Sequence, residues 1–305
     1  MSPQHIGALL VAASAAGFAT LGIFLKFAYA AGANTITILT GRFLLAAICL
    51  VLILKYRGIS LKIDNKLKTK LFLLGAMGYG SMSMLYALSV MHLPASLAVM
   101  LLYTYPAIVS VLSFLMGDEK YSWQKGLSLA ICFAGLSLVL GISFDNADIA
   151  GITFGLAAAL VYSIYIVIGN RLLKNTDSLI TTVYVCSSAA IVFVVFGLST
   201  NTLIFNLPVQ GWLSIIAIAL FATIVGIMSF FAGMSKVGAT NASIISTLEP
   251  VITALLSVAL LDETITPLQI GGGALILGGI IILQLWAGKI VTKKECYQAI
   301  EEHHG

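Results

Sequence analysis

The sequence predicts an all-α membrane protein of ten transmembrane helices, arranged as two inverted repeats of five. Three observations carry that reading: an apolar composition, the sorting of basic residues among the loops, and an internal repeat at one fixed offset. Of the 305 residues, 60% are apolar and only 9% charged, where a soluble chain carries about a quarter charged residues. Mean hydropathy is +1.05. No polar stretch exceeds the segment 289–305, so no water-soluble domain is left over.

Ten apolar segments have the roughly 20 residues that a helix needs to cross a ~30 Å hydrocarbon core. They are 6–29, 35–54, 71–91, 95–116, 123–142, 151–173, 179–198, 210–233, 240–261 and 267–288. Ala28-Tyr29-Ala30 resembles a signal-peptide cleavage site. However, Met1 to His5 holds no Lys or Arg, and the apolar stretch from Ile6 outruns the ~7–15 residues of a signal core. The first segment is therefore read as a retained span.

Basic residues alternate with these spans. Lys55, Arg57, Lys62, Lys66, Lys68 and Lys70 share one loop; Lys120 and Lys125, Arg171 and Lys174, Lys236, and Lys289, Lys293 and Lys294 follow on the same side. The loops on the other side hold none, so the positive-inside rule places both termini in the cytoplasm and the protein in an inner, cytoplasmic membrane. A net charge of +4 distributed in this way forms no nucleic-acid patch. Cys49, Cys132, Cys186 and Cys296 are scattered without CxxC spacing and predict neither a disulfide framework nor a metal site.

A shift of 144 residues aligns the two halves. Pro94-Ala95-Ser96-Leu97-Ala98, Tyr105-Pro106 and Gly117-Asp118-Glu119 fall on Gly238-Ala239-Thr240-Asn241-Ala242, Glu249-Pro250 and Leu261-Asp262-Glu263. Gly7, Ser113 and Gly135 fall on Gly151, Ser257 and Gly279. The repeats are taken as 1–145 and 146–288, with a cytoplasmic tail over 289–305. Five spans is an odd number, so the halves enter the membrane from opposite sides, an architecture recurrent among secondary transporters with the site between repeats near the midplane.

Each half resembles the EamA-like repeat of the drug/metabolite transporter superfamily. The resemblance rests on Gly7 to Lys26, Gly41-Arg42-Phe43, Ala87-Leu88, Pro94-Ala95-Ser96, Tyr105-Pro106, Gly117-Asp118-Glu119, Gly151 to Arg171 and Ala239 to Glu263, and it covers residues 6–288. Leu261 departs from it where a glycine is usual. The resemblance implies a central cavity lined by the first four helices of each half, with the fifth and tenth outside. It also implies alternating-access transport of small metabolites, with export of amino acids or related amphipathic compounds as the leading expectation. The alternative is a lipid scramblase, or a sensor or partner-binding helix bundle.

Glu249 is the only acid inside a span. A carboxylate in lipid is expensive and normally faces a partner or a wet cavity. It either binds a substrate cation or takes a proton, or it fixes helix packing by pairing with a base. Pro250 deprives the carbonyl near Ser246 of its helical bond, and Pro106 does the same beside Tyr103 and Tyr105, giving two matched helix breaks. Arg42 either binds a carboxylate, or gates with Glu249, or snorkels to the headgroups. Lys26 favours snorkelling.

Tyr79, Ser83 and Tyr86 share one helix face at i, i+4 and i+7. Together with Tyr103, Tyr105, Tyr162, Ser163, Asn170, Tyr184 and Ser246 they make up a candidate cavity, and the competing reading for the phenols is an interfacial aromatic belt. Trp123 and Trp286 fit the belt. Gly271, Gly272, Gly273, Gly278 and Gly279 read as close helix packing, with a homodimer contact among the options. Asp145, Asp148 and Asp177 read as solvated loop acids.

No HExxH, GxSxG or Walker loop is present, so no enzyme, cofactor or metal is expected. The expected partners are a small-molecule substrate and membrane lipid.

Overall fold

Local signals set the helix ends in the computed structural model, which describes residues 2–93, 95–120, 122–141, 148–261, 265–283 and 285. Helix α1 (Pro3–Ala30) begins with a proline at its first position under a Ser2 cap. Asn34 caps α2 (Thr35–Tyr56) by accepting the Thr37 N–H at 2.8 Å. Helix α3 (Asn65–His92) follows, then α4, built from Ala95–Leu102 and Tyr105–Leu115, and α5 (Trp123–Leu140).

In the second half, Asp148 caps α6 (Ile149–Leu172) through the Ala150 N–H at 2.9 Å, and Asp177 caps α7 (Ser178–Ser199) through Leu179 at 2.7 Å. Both acids thus satisfy orphan helix donors instead of standing free in the loops as the sequence suggests; Asp145 lies outside the described residues. The half continues with α8 (Val209–Val237), α9 (Ala239–Leu260) and α10 (Pro267–Leu283). Among the described residues nine helices are long and apolar enough to cross a membrane, and α10 is a shorter apolar helix.

The 144-residue repeat extends to the irregularities of the backbone. Helix α3 widens into a π-helix over Leu74–Gly80, and α8 does so over the matching Ile218–Val225. In α8 the Thr223 hydroxyl donates to the Ile218 carbonyl at 3.1 Å, a side-chain bond that spans the widened turn. Helix α4 breaks at Tyr103-Thr104 just before Pro106, and α9 passes through a 3₁₀ turn at Ser246–Leu248 just before Pro250. Proline withholds its N–H from the turn before it, which accounts for both breaks.

Packing follows the same pseudo-symmetry. Helix α1 lies along α8 and α9, as α6 lies along α3 and α4, while α2 pairs with α7 across the centre. At the start of α1, Gly7 meets Lys236 and Val237; at the start of α6, Gly151 meets His92 and Leu93, each pair one offset apart. Helices α5 and α10 pack on each other, with the Ser128 hydroxyl donating to the Gly279 carbonyl at 2.6 Å. Gly272 and Gly279 therefore serve contacts within the chain, whereas Gly271 and Gly278 face open space. The main core spans both halves, and large apolar side chains such as Leu9, Leu52 and Val111 point outward, as in helices bathed by lipid.

Candidate functional site

Tyr103 lies in the break of α4, and Tyr105 and Glu249 each open the helical segment that follows a break. Glu249 opens the second segment of α9 and is half-buried. Its side chain lines a pocket of about 310 Å³ walled by α1, α3, α4, α5, α9 and the start of α10. The pocket runs along α9 from Glu249 past Thr253 to Val258, and reaches Ile265 and Gln269 at the face opposite the basic loops. Tyr86 and Tyr103 join Glu249 in its lining. The Tyr103 hydroxyl lies beside the Glu249 carboxylate and is buried without a well-formed hydrogen bond.

Arg42 sits elsewhere. It is buried at 4% exposure, so it does not snorkel, and its guanidinium donates to the Tyr79 hydroxyl at 3.3 Å. The guanidinium carbon stands 4.5 Å over the Phe43 ring, a cation–π contact, and Nε has no hydrogen-bond partner. Among the described residues no ion pair joins Arg42 to Glu249. A layer of phenols separates them: Tyr79 to Tyr162 at 6.3 Å between ring centroids, Tyr162 to Tyr105 at 4.7 Å, and Tyr105 to Tyr103 at 5.8 Å. Edge-on contacts of this kind favour ring packing, and these four side chains come from three different helices.

The structure sorts the remaining candidates. Tyr79 and Tyr86 on the shared face of α3 reach the phenol layer and the pocket respectively, with Ser83 buried between them outside the pocket lining. The Tyr105 hydroxyl donates to the Ser243 carbonyl at 3.5 Å, and the Ser163 hydroxyl donates to the Tyr105 carbonyl at 3.2 Å, bracing the break in α4. Ser246 turns back onto its own helix, donating to the Ala242 carbonyl at 3.0 Å. Asn170 lies two residues from the basic-face end of α6 and does not line the pocket. Tyr184 donates to the Leu61 carbonyl at 3.2 Å, beneath the basic loop instead of in a cavity. Trp286 lies outside the described residues.

Sequence reasoning missed Tyr165, whose ring centroid is 5.3 Å from Tyr79; its i+3 spacing from Tyr162 was a usable signal. It also missed Phe18, Leu21 and Leu25 of α1 as pocket wall, since apolar residues in a span carry no positional signal.

The acids at the end of α4 work at the opposite face. Asp118 accepts the Arg171 Nε–H at 2.7 Å and lies 3.9 Å from Lys174. Glu119 pairs with Lys125 and accepts the Thr240 backbone N–H at 3.2 Å. The matching Asp262 and Glu263 lie outside the described residues. The basic face thus carries ion pairs that join the two halves, and the pocket reaches the other face.

Two segments of the chain, 5–141 and 149–285, each match the EamA-like transporter family. The chain belongs to that family. It is a multi-pass membrane transporter. Among its relatives is an uncharacterized transporter of Archaeoglobus fulgidus, 31% identical over 65% of this chain and 70% of its own. Another, the threonine/homoserine exporter RhtA of Escherichia coli, is 27% identical over 80% of this chain and 79% of its own. A solved protein structure aligns with a TM-score of 0.82 at 17% identity, covering 92% of this chain and 98% of its own, a likeness of fold alone. The duplicated EamA match agrees with the two halves traced through the π-helices, the breaks and the packing.

Proposed function

We propose that this EamA protein moves small amphipathic metabolites, amino acids or related compounds, out of the cytoplasm by alternating access, with both termini cytoplasmic. The observation that carries the proposal is the Glu249 carboxylate in the wall of a pocket of about 310 Å³ that reaches the face opposite the Asp118–Arg171 pair. A carboxylate held among membrane helices is a costly group whose natural use is binding a substrate cation or a proton. Small-molecule pockets run from about 300 to 1,000 Å³, so this one suits an amino-acid-sized body and leaves little room for a nucleotide sugar. The name of the RhtA relative favours the same size class. Glu249 and the phenols of Tyr86 and Tyr103 make up the binding group, while Pro106 and Pro250 mark the breaks at which the two halves rock.

The test is exchange and efflux in proteoliposomes with a panel of amino acids and their derivatives, wild type against Glu249→Gln. Transport by wild type, with at least tenfold less by a variant that melts normally, is the expected result. Wild-type protein that moves no metabolite under any gradient would overturn the reading.

A further inference from the structure

The charge content of the Glu249 pocket is one-sided. Among the described residues its lining contains one carboxylate and no Lys, Arg or His. Lys26 follows the lining residue Leu25 on α1 but is exposed and outside the lining. Arg42 is engaged by Tyr79 and Phe43 beyond the phenols.

The walls are largely apolar, with Leu21, Leu25, Val99, Val139 and Leu140 among them; Thr253 and Gln269 are the polar lining residues besides Glu249 and the two tyrosines. One polar group there, the Tyr103 hydroxyl on a residue 5% exposed, lies beside the Glu249 carboxylate without a well-formed hydrogen bond.

The two charges of a zwitterion fare differently in this space. Its ammonium finds the Glu249 carboxylate, a charge-assisted partner. Its carboxylate finds no cation in the described lining and lies within a few ångströms of a like charge.

We propose that the Glu249 pocket is an ammonium site for small apolar amines, taking the monocationic amine in preference to the zwitterionic amino acid that bears the same side chain. The inference rests on the pocket being the transport site and names its substrate class. Glu249 pairs with the ammonium, the Tyr103 hydroxyl beside it turns its oxygen to a second ammonium N–H, and the aliphatic wall holds the body.

The experiment uses three probes that share an isobutyl group: 3-methylbutylamine, leucine and N-acetylleucine. Their binding to detergent-purified full-length protein is measured calorimetrically against detergent alone. The expected order is amine first, tighter than leucine by at least about tenfold, which is about 1.4 kcal/mol, with the anion weakest. Glu249→Gln removes the amine's advantage. Tyr103→Phe weakens the amine about threefold and leaves leucine within twofold, which keeps the test open if the Glu249 variant folds poorly.

Leucine binding as tightly as the amine, an unchanged ratio in Glu249→Gln, or no binding by any of the three overturns the inference. Transport of amino acids by the same preparation alongside such a result leaves the transport reading standing, whereas a preparation that transports nothing overturns that reading instead.

Discussion

The Asp118 carboxylate receives the Arg171 Nε–H at 2.7 Å, joining the end of α4 in the first repeat to the end of α6 in the second. Arg171 adds a bond to the Met116 carbonyl at 2.7 Å. One residue on, Glu119 accepts the Thr240 N–H at the start of α9, close under Gly238, whose φ of +83° a side chain would disfavour. A carboxylate at a helix N-terminus meets both the orphan donors and the positive end of the helix dipole. Two adjacent acids of one repeat therefore clamp two helices of the other, on the face that the pocket does not reach.

On the proposed alternating-access cycle, breaking this clamp is expected to favour opening of the basic face. The Asp118–Arg171 pair is partly exposed, with Arg171 at 38%, so solvent screening holds its worth to about 1 kcal/mol. That corresponds to about a fivefold shift between closed and open forms. Asp118→Asn, in a background with the native cysteines replaced, is expected to raise several-fold the rate at which a Ser246→Cys thiol is labelled from the basic side. An unchanged rate would show that the pair does not hold the face closed.

A second cross-repeat contact titrates. His92 Nδ1 and the Asp148 carboxylate meet at 2.7 Å on the other face. The Ala150 N–H, and after it His92, hold the Asp148 carboxyl below the usual carboxylate range. A depressed carboxylate pKa stabilises the fold fully above the unfolded value of about 3.9 and loses that contribution as pH falls through the folded value. The melting temperature is thus expected to feel no change in Asp148 between about pH 5 and 8 and to fall on acidification below about 4. Asp148→Asn, still a competent helix cap, removes that part of the acid limb. A wild-type and variant pair with superimposable melting profiles from pH 3 to 8 would contradict it.

How far these features were legible depends on the range of the physics behind them. Span lengths, loop charge and the 144-residue offset are one-dimensional, and the sequence displayed them in full. Contacts between helices are not. Span positions put Arg42 and Glu249 within about 6–8 Å in depth, and depth along a helix says nothing about azimuth: α2 packs on α7 while α9 packs on α1, so the two charges end on either side of the phenol layer. The π-helices at Leu74–Gly80 and Ile218–Val225 left no composition signal, because a widened turn depends on what presses against it. Asp148 and Asp177 were readable as caps, each standing just before an apolar helical run. The glycines of α10 predicted close packing, but not which of them meet α5.

That distinction yields opposite effects from identical substitutions. A Cβ at Gly135 would lie 2.5 Å from the Gly272 carbonyl, and one at Gly272 equally close to the Gly135 carbonyl. Backbone cannot yield as a flexible side chain does, so Gly135→Ala or Gly272→Ala is expected to destabilise by about 1–3 kcal/mol. Gly278 meets nothing within 4 Å, and Gly278→Ala gains helix propensity of up to about 1 kcal/mol. Thermal melts in one detergent should lower the first two and leave the third equal or higher. Equal losses at all three positions would show that α10 packs in another register.

Arg42 offers the sharpest separation of stability from activity. A buried guanidinium with an unpartnered Nε and only a phenol and a ring for company loses hydration that these neighbours do not replace. Exchanging a buried charge for an apolar group of similar volume is neutral or stabilising, by about 1–4 kcal/mol where it has been measured. Arg42→Met is therefore expected to melt at or above the wild-type temperature. A buried charge that its neighbours in this arrangement do not compensate points to work in another conformation, so the same variant should lose transport in proteoliposomes by tenfold or more. Tyr79→Phe removes the hydrogen bond and keeps the ring against Phe43 and Tyr162, so it should lose less. A large drop in melting temperature for Arg42→Met would assign the guanidinium to holding α2 against α3. Full transport with a raised melting temperature would leave it with no part in the cycle.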